Sequence, residues 1–565
     1  MRPDVGSLEA DRPGNALLDH QGDRRRSEYR AGDSVRVHLP VDRPHHRSRH
    51  RFMTAGSRPA HRDVWLLIAT FLIAVAGLVY ELIAATASSY LLGDSVRQFS
   101  LVIGVFLSSM GVGAWLSRFV EQPVSGFIWV QILIAVVGGF MAPALFYAYA
   151  YLSAVGPVLF GLLAAVGVLS GMEIPLIARV LERVGAARFR FENVLSVDYA
   201  GALIASLAFP LLIVPHLGLM SASLVFGALN LLVAGISLWL FRDESSGRQR
   251  AAWLIALVLT CTALIQSEKL LSVTEAQLFE DDVIFSEATP YQNITLTQFR
   301  DRTRLYLDYS LQFDSLDEYR YHEMLVHPAI GMAPRREDIL ILGGGDGMAA
   351  REVLRHDEVK NVTLVDLDSR VTELFRDHPQ LAPLNDHSLS DDRLKIVNED
   401  AWQFVENDDG AYDVIILDLP DPKNLTLSKL YSAEFYALLM ERTTAQSVIV
   451  TQSGAPLFAR EAFWSIVTTW DETRNPFDLS APLSVLPYHA YVPSFGEWGF
   501  VMASPMRLRD RMPDLPDGLR YLDSGQWSAA TRFPPDMARL EVEANHIQTH
   551  VLADYYMDGW EKWFE

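Results

Sequence analysis

Between residues 64 and 266 the chain is almost continuously apolar, and this limits its fold more than any other feature. Six runs, near 64–92, 99–117, 125–152, 155–181, 195–217 and 219–241, reach or approach the ~20 residues that a helix needs to cross a ~30 Å hydrocarbon layer. A seventh, AAWLIALVLTCTALIQ from Ala251, has 16 residues. In lipid each backbone N–H and C=O must be satisfied within the protein, so such runs fold as helices. The sequence predicts a multi-pass α-helical bundle over 64–266, of six or seven spans, with a lipid bilayer as partner. The first run is too long, and lacks the cleavage site, to be a secretory signal.

Arginine placement sets an orientation. The N-terminal arm carries DRRRSEYR and RPHHRSRHR, and the links RVLERVGAARFRFEN and FRDESSGRQR are basic. The intervening links on the other side are short, with Arg97 the only base. Cytoplasmic links carry the excess of Lys and Arg, so the N-terminus and the basic links are expected at the cytoplasmic face of the cell (inner) membrane. The arm, residues 1–63, lacks apolar periodicity and is expected to be disordered; Met53 offers an alternative start. Three acids interrupt the apolar runs: Glu81, Glu173 and Asp198. Such residues usually face a bundle interior and often serve function. Pro175, just after Glu173, suggests a broken helix. The single cysteine, Cys261, rules out an intrachain disulfide framework and reads as a small core hydrophobe.

The second half has a different character. From about 267 onward acids outnumber bases by roughly two to one, which accounts for the net charge of −21. That balance argues against nucleic acid, whose binders are usually basic, and allows a cationic ligand. Residues 283–313 alternate apolar and polar and are rich in β-branched and aromatic side chains, so two or three strands are expected in a small β-subdomain over 267–330. Over 331–565 strand and helix signals alternate: ILIL, VTLVDLD, LKIVNEDA, YDVIILDLP and SVIVTQS, with helices between. This spacing predicts a parallel, doubly wound α/β domain, Rossmann-like and of methyltransferase type.

A parallel sheet binds its ligand beyond the C-terminal ends of its strands. Four polar clusters fall there: GGGDG at 343–347, Asp366 in VDLD, Asp400-Ala401 in NEDA, and Asp418 with Asp421 in LDLPDP. Glycines such as Gly343 and Gly345 let backbone approach a ligand closely. Asp366 follows Asp346 by the interval at which an acid bonds ribose hydroxyls. Asp346 itself would repel a pyrophosphate, so the ligand should carry a ribose without phosphate. A carboxylate at ~4 Å from an ammonium gains about 4 kcal/mol at an effective dielectric near ~20, before desolvation. Asp346 therefore favours an amine tail, as in decarboxylated S-adenosylmethionine, over the carboxylate of the intact form.

Longer stretches carry a resemblance. ATPYQNI (288–294), LDEYRYHEMLVHPA (316–329), ILGGGDGMAAREVLRH (341–356), LVDLD (364–368), EDAWQFV (399–405), YDVIILDLPDP (412–422), VTQSGAP (450–456) and AYVPSFGEWGFVMAS (490–504) resemble spermidine synthase, the polyamine aminopropyltransferase family. GLVYEL (77–82) and VDYAGALIASLAFPLLIVPHLG (197–218) resemble its membrane-bound branch. The resemblance implies aminopropyl transfer from decarboxylated S-adenosylmethionine to putrescine or a related polyamine, giving spermidine and methylthioadenosine. It implies that Gln292, Asp346, Asp366, Asp400 and Ala401 hold the nucleoside, and that His322, Asp346 and Asp421 hold the amine. It makes Asp418 the general base and Tyr291, Gln452 and Tyr491 lining of the amine channel. His327, before Pro328, reads as structural. No metal is called for, because a sulfonium is already a good leaving group.

The sequence also departs from the family pattern. Lys423-Asn424-Leu425 stands where Gly-Pro is usual, Tyr309 replaces the glycine of an LDG hairpin, and Asp366 stands where Glu is common. Two rival readings remain: a methyltransferase using intact S-adenosylmethionine, and a non-catalytic polyamine sensor or transporter. Six crossings would put the catalytic half on the face of the N-terminus, seven on the other. Because the donor is made in the cytoplasm, the catalytic domain is expected there, with a seventh run that does not fully cross or a long run that hides two passes. Homo-oligomerisation is left open.

Overall fold

The computed structural model describes residues 62–92, 95–152, 155–184, 191–267, 279, 281–508 and 513–564. The arm expected to be disordered lies, but for its last two residues, outside the described residues. The apolar half forms helices α1 (Arg62–Leu92), α2 (Ser95–Leu116), α3 (Pro123–Val137), α4 (Met141–Tyr151), α5 (Val155–Val184), α6 (Phe191–Ala208), α7 (Val214–Leu240) and α8 (Gly247–Ile265). Among the described residues six helical stretches are long and apolar enough to cross a membrane by length and composition.

One of those stretches, Phe191–Leu240, has 50 residues, or ~75 Å of straight helix. It is not straight. A π-helical turn occupies Phe209–Ile213, and Gly218 leaves helical geometry at φ 65°, ψ 172°. The stretch is therefore two apolar arms, divided where the sequence divides them. The third run also bends, between α3 and α4, where Ser223 Oγ lies 2.8 Å from the carbonyl oxygens of both Gly138 and Gly139. The seventh run is longer than its apolar residues suggest. A capping box between Ser246 and Gln249 starts α8 early, giving 19 residues, ~28 Å of helix. Two expectations fail here. Helix α5 continues through Pro175, since one missing N–H is tolerated where neighbouring helices pack around it. Cys261 is exposed, on the outer face of α8.

Close approaches fix the sense of the helices. Gly167 and Gly171 of α5 pack against Phe106 and Met110 of α2, a parallel pair. Ser223 faces Ala142 while Gly227 faces Ala135, so the second arm runs antiparallel to α3–α4. Trp253 Nε1 donates to Leu231 O at 2.7 Å, and Ser221 Oγ to Ser267 Oγ at 3.3 Å, so α8 runs back along α7. One end of the bundle collects the arginines. There Arg179 donates to the Val120 carbonyl at 3.0 Å and also to that of Ser117, Arg183 pairs with Glu244 at 3.1 Å, and Arg250 bonds the Arg242 carbonyl at 2.6 Å. The C-terminal end of α8 lies at the other end.

The second half opens with a four-stranded antiparallel meander: β1 (Asp282–Ala288), β2 (Asn293–Phe299), β3 (Arg302–Leu307) and β4 (Ser310–Asp314). The sequence reading of two or three strands undercounts it, because the turns lack glycine. Arg300, Asp308 and Tyr309 take positive φ (56°, 48° and 64°) instead. Helix α9 (Glu318–Met332) leads into β5 (Asp338–Gly343), β6 (Asn361–Asp366), β7 (Leu394–Asn398), β8 (Tyr412–Asp418), β9 (Thr443–Gln452), β10 (Ser484–Val492) and β11 (Gly496–Ser504).

These seven strands form one sheet in the order β10-β11-β9-β8-β5-β6-β7. Pairs β5·β6, β6·β7, β5·β8 and β8·β9 are parallel, as expected. Strands β10 and β11 are antiparallel, a hairpin edge that the parallel reading missed. The core strands are apolar on both faces: Leu340, Ile341, Ile415 and Ile416 are fully buried between two helical layers. The chain leaves β5 toward β6 on one side and returns to β8 on the other. That topological switch point opens a crevice beyond the ends of β5 and β8.

Candidate active site

The crevice floor is the turn after β5. Gly343 and Gly344 sit at φ 84° and 66°, where only glycine is unstrained. A Cβ on Gly343 would meet the Asp418 carbonyl oxygen at 2.0 Å, and one on Gly344 would lie 3.0 Å from Asp418 Oδ2. The glycines thus let the end of β8 lie directly on the loop, and they bring its carboxylate there. Gly345 N donates to Asp366 Oδ2 at 3.0 Å, and Asp368 N to Asp366 Oδ1 at 2.9 Å. Asp346 Oδ1 accepts from Met348 N at 2.9 Å, at the start of helix α10 (Met348–Leu354).

Around this loop the ionisable groups are recessed and crowded. Burial raises the pKa of Asp346 to about 6, the nearby Asp418 charge adding to it and His322 opposing it. Burial likewise raises Asp366 to about 6, against its two amide bonds. Asp418 and Asp421 are both raised by burial. Tyr321 donates to Asp418 Oδ1 at 2.6 Å. Tyr556 donates to Asp421 Oδ2 at 2.8 Å, and Gln452 Nε2 to Oδ1 at 3.3 Å. His322 is 3% exposed, with Nδ1 2.8 Å from Glu318 Oε2. Burial opposes its charge, but the Glu318 bond outweighs burial and lifts its pKa to about 8. Arg351 in turn holds Glu318, at 2.9 and 3.0 Å.

The family described as "Spermine/spermidine synthase domain" matches residues 318–511, the span that contains this loop and these acids. A polyamine aminopropyltransferase of Leptospira interrogans is 41% identical over 500 residues, covering 88% of this chain and 99% of the relative. The chain belongs to the polyamine aminopropyltransferase family. Polyamine aminopropyltransferase 1 of Ralstonia nicotianae is also 41% identical, over 523 residues, covering 90% of this chain and 98% of that protein. Among solved structures, a spermidine synthase in complex with the transition state analogue AdoDATO is similar at 25% identity, covering 45% of this chain and 85% of that one, with a TM-score of 0.41. The protein is thus an enzyme, a polyamine aminopropyltransferase.

Within this aminopropyltransferase the structure sorts the residues named from sequence. Asp346, Asp366, Asp418 and His322 gather at the glycine loop, and Asp421 lies one turn beyond. Gln292 sits elsewhere in the network: its Nε2 donates to Asp368 Oδ2 at 3.1 Å, beside Thr289 Oγ1 at 2.7 Å. Asp400 caps helix α11 (Ala401–Asn407), accepting from Trp402 N and Gln403 N, while its Oδ2 meets Lys429 Nζ at 3.2 Å. Ala401 is buried. Gln452 is 2% exposed and tied to Leu419 O at 2.6 Å. Tyr291 and Tyr491 are 56% and 54% exposed, and neither makes a side-chain bond to the acids. His327 is structural, held between His356 and Glu352 at 2.9 Å each.

Sequence reasoning missed Tyr321, Glu318, Arg351, Asp368 and Tyr556. Glu318 and His322 are four apart on α9, a helical pairing signal that was available. Tyr556 comes from helix α12 (Val551–Phe564), far along the chain, and no local pattern marks it.

Proposed function

We propose that this aminopropyltransferase takes its aminopropyl group from decarboxylated S-adenosylmethionine and passes it to putrescine or a related amine, releasing methylthioadenosine. The observation that carries the reading is the juxtaposition of Asp346, Asp418 and Asp421 at the ends of β5 and β8, around a glycine loop that admits a nucleoside. Asp366, fixed by two amides, accepts from the ribose. Asp346, with Gln292, Asp400 and Ala401 around the pocket, holds the donor. Asp421 and His322 hold the amine. Because His322 Nδ1–H faces Glu318, the neutral ring offers its Nε2 lone pair to an ammonium N–H. Tyr291, Gln452 and Tyr491 line the approach.

An alkylammonium has a pKa near ~10, so the attacking nitrogen arrives protonated. Asp418 accepts that proton; the lone pair then attacks the aminopropyl carbon, and the C–S electron pair returns to sulfur, leaving a neutral thioether. Burial raises the Asp418 pKa, which makes it a better acceptor near neutral pH. Holding nitrogen and carbon in line supplies much of the rate. Incubating purified protein with decarboxylated S-adenosylmethionine and a panel of amines, with products read by mass spectrometry, should give methylthioadenosine and an amine heavier by one aminopropyl unit. Methyl transfer from intact S-adenosylmethionine, or no product, would refute the assignment.

We infer further that the bundle crosses the bilayer seven times. Support comes from the 19-residue α8, from the alternating sense of the helices, and from outward-facing Leu107, Leu211, Trp239, Leu259 and Ile265. The arginine-bearing links then face the cytoplasm, and the catalytic domain lies at the opposite face. Tyr309 of the β3–β4 turn, whose ring is 6.5 Å from Tyr149 near the end of α4, fits that side. This departs from the expectation of a cytoplasmic catalytic domain, which rested on the donor being made there and called for a seventh run that does not fully cross or a long run that hides two passes. A C-terminal alkaline phosphatase fusion should be active and a fluorescent-protein fusion dark; the converse pattern restores six passes.

A further inference from the structure

The bundle contains a second place where a buried carboxyl group and unused acceptors meet. Glu173 of α5 is 4% exposed, and its Oε1 accepts from Gln131 Nε2 of α3 at 2.5 Å. Asn230 of α7 donates to the Tyr80 hydroxyl of α1 at 3.1 Å. The two pairs are joined where α1 and α5 approach each other. Ser170, one turn before Glu173 on the same face of α5, places its Oγ 3.9 Å from the Cβ position of Gly77 on α1, one turn before Tyr80.

Three polar atoms in this group have no hydrogen-bond partner among the described residues: Gln131 Oε1, Asn230 Oδ1 and Ser170 Oγ. The residues are 0%, 1% and 5% exposed. Unpaired polar atoms so deeply buried are destabilising, and a carboxylate among apolar helices is more so unless paired. Among the described residues no Lys, Arg or His pairs with Glu173. The missing partner is a cation that also donates hydrogen bonds. A primary ammonium has three N–H donors and one charge, and the Tyr80 ring adds a face that attracts cations.

We propose that Glu173, Gln131, Ser170, Asn230 and Tyr80 form an intramembrane binding site for a protonated primary amine, separate from the catalytic crevice. The site goes beyond the transfer reaction and does not depend on it: it gives the membrane half an amine of its own to bind.

Equilibrium dialysis of the full-length protein in lipid nanodiscs against radiolabelled putrescine, without donor, tests this. Wild type should bind two equivalents per chain, Glu173→Gln one, Asp421→Asn one and the double variant none. Turnover by Glu173→Gln should retain the wild-type kcat and amine KM. Two equivalents in Glu173→Gln, or a single wild-type equivalent abolished by Asp421→Asn, overturns the bundle site. Loss of both equivalents in Glu173→Gln with normal turnover also overturns it, whereas retention of both in Asp421→Asn counts against the crevice alone. If Glu173→Gln does not assemble, Asn230→Leu, which leaves the Glu173–Gln131 bond intact, should weaken one equivalent at least tenfold. Unchanged affinity there, or stoichiometric displacement of putrescine by labelled sodium, refutes the proposal.

Discussion

Replacing Tyr321 with Phe isolates one hydrogen bond at the reacting centre. The Tyr321 hydroxyl donates to Asp418 Oδ1 at 2.6 Å, and its ring packs on Phe495 and Phe500, with centroids 6.1 and 5.4 Å away. Phenylalanine keeps that packing and removes only the donor. A hydrogen bond to a charged group contributes ~1.5–3 kcal/mol, and ~1.36 kcal/mol corresponds to one pKa unit. The donor stabilises the carboxylate form, so its loss raises the Asp418 pKa by ~1–2 units. Asp418 must be ionised to accept the amine proton, so activity falls as pH drops through its pKa. In a profile of kcat/KM against pH from 5 to 9, at saturating donor, the acid limb of the variant should move up by about that interval. Rates should converge with wild type on the alkaline side. An acid limb that stays in place or moves down refutes the claim that Asp418 is the base and Tyr321 its positioning partner. So does a deficit that is equal at every pH.

Three further outcomes follow from the same geometry. The amine KM should fall as pH rises through about 8, where His322 loses its proton and ceases to repel an ammonium; His322→Gln should abolish that break in a KM–pH plot. Gly343→Ala puts a Cβ 2.0 Å from the Asp418 carbonyl oxygen at φ 84° and should lower stability by more than ~3 kcal/mol in a denaturant titration, whereas Gly518→Ala, also at positive φ but in open space, should cost ~1–2 kcal/mol. Tyr556→Phe removes one donor from Asp421 and should raise the amine KM several-fold, with kcat at saturating amine near wild type.

What could be read from the sequence divides along a physical line. Features set by spacing along the chain were legible. The apolar runs announce helices because so long an apolar stretch must satisfy its own backbone N–H and C=O groups. GGGDG and the strand-end acids announce a crevice because a parallel sheet gathers its loops at one edge. Features set by meetings of distant segments were not. Tyr556 reaches Asp421 from 135 residues away, and the hairpin of β10 and β11 reverses an otherwise parallel sheet with only an ordinary turn to mark it. The bond from Gln292 to Asp368, across 76 residues, is another such meeting.

The parity of the bundle shows why a small local signal can decide a large question. Read by hydropathy, the seventh run has 16 residues and falls short of a bilayer. The helix gains its remaining residues from polar ones, because Ser246 and Gln249 satisfy each other's backbone N–H and start α8 at Gly247. Hydropathy cannot see those residues, since they are held by hydrogen bonds and not by the hydrophobic effect. Gln249 also donates to the Ser125 carbonyl at 3.1 Å, which pins the start of α8 beside the start of α3, at the arginine-bearing end. A helix that starts at that end and is ~28 Å long finishes at the other, and the inferred seventh crossing rests on that step.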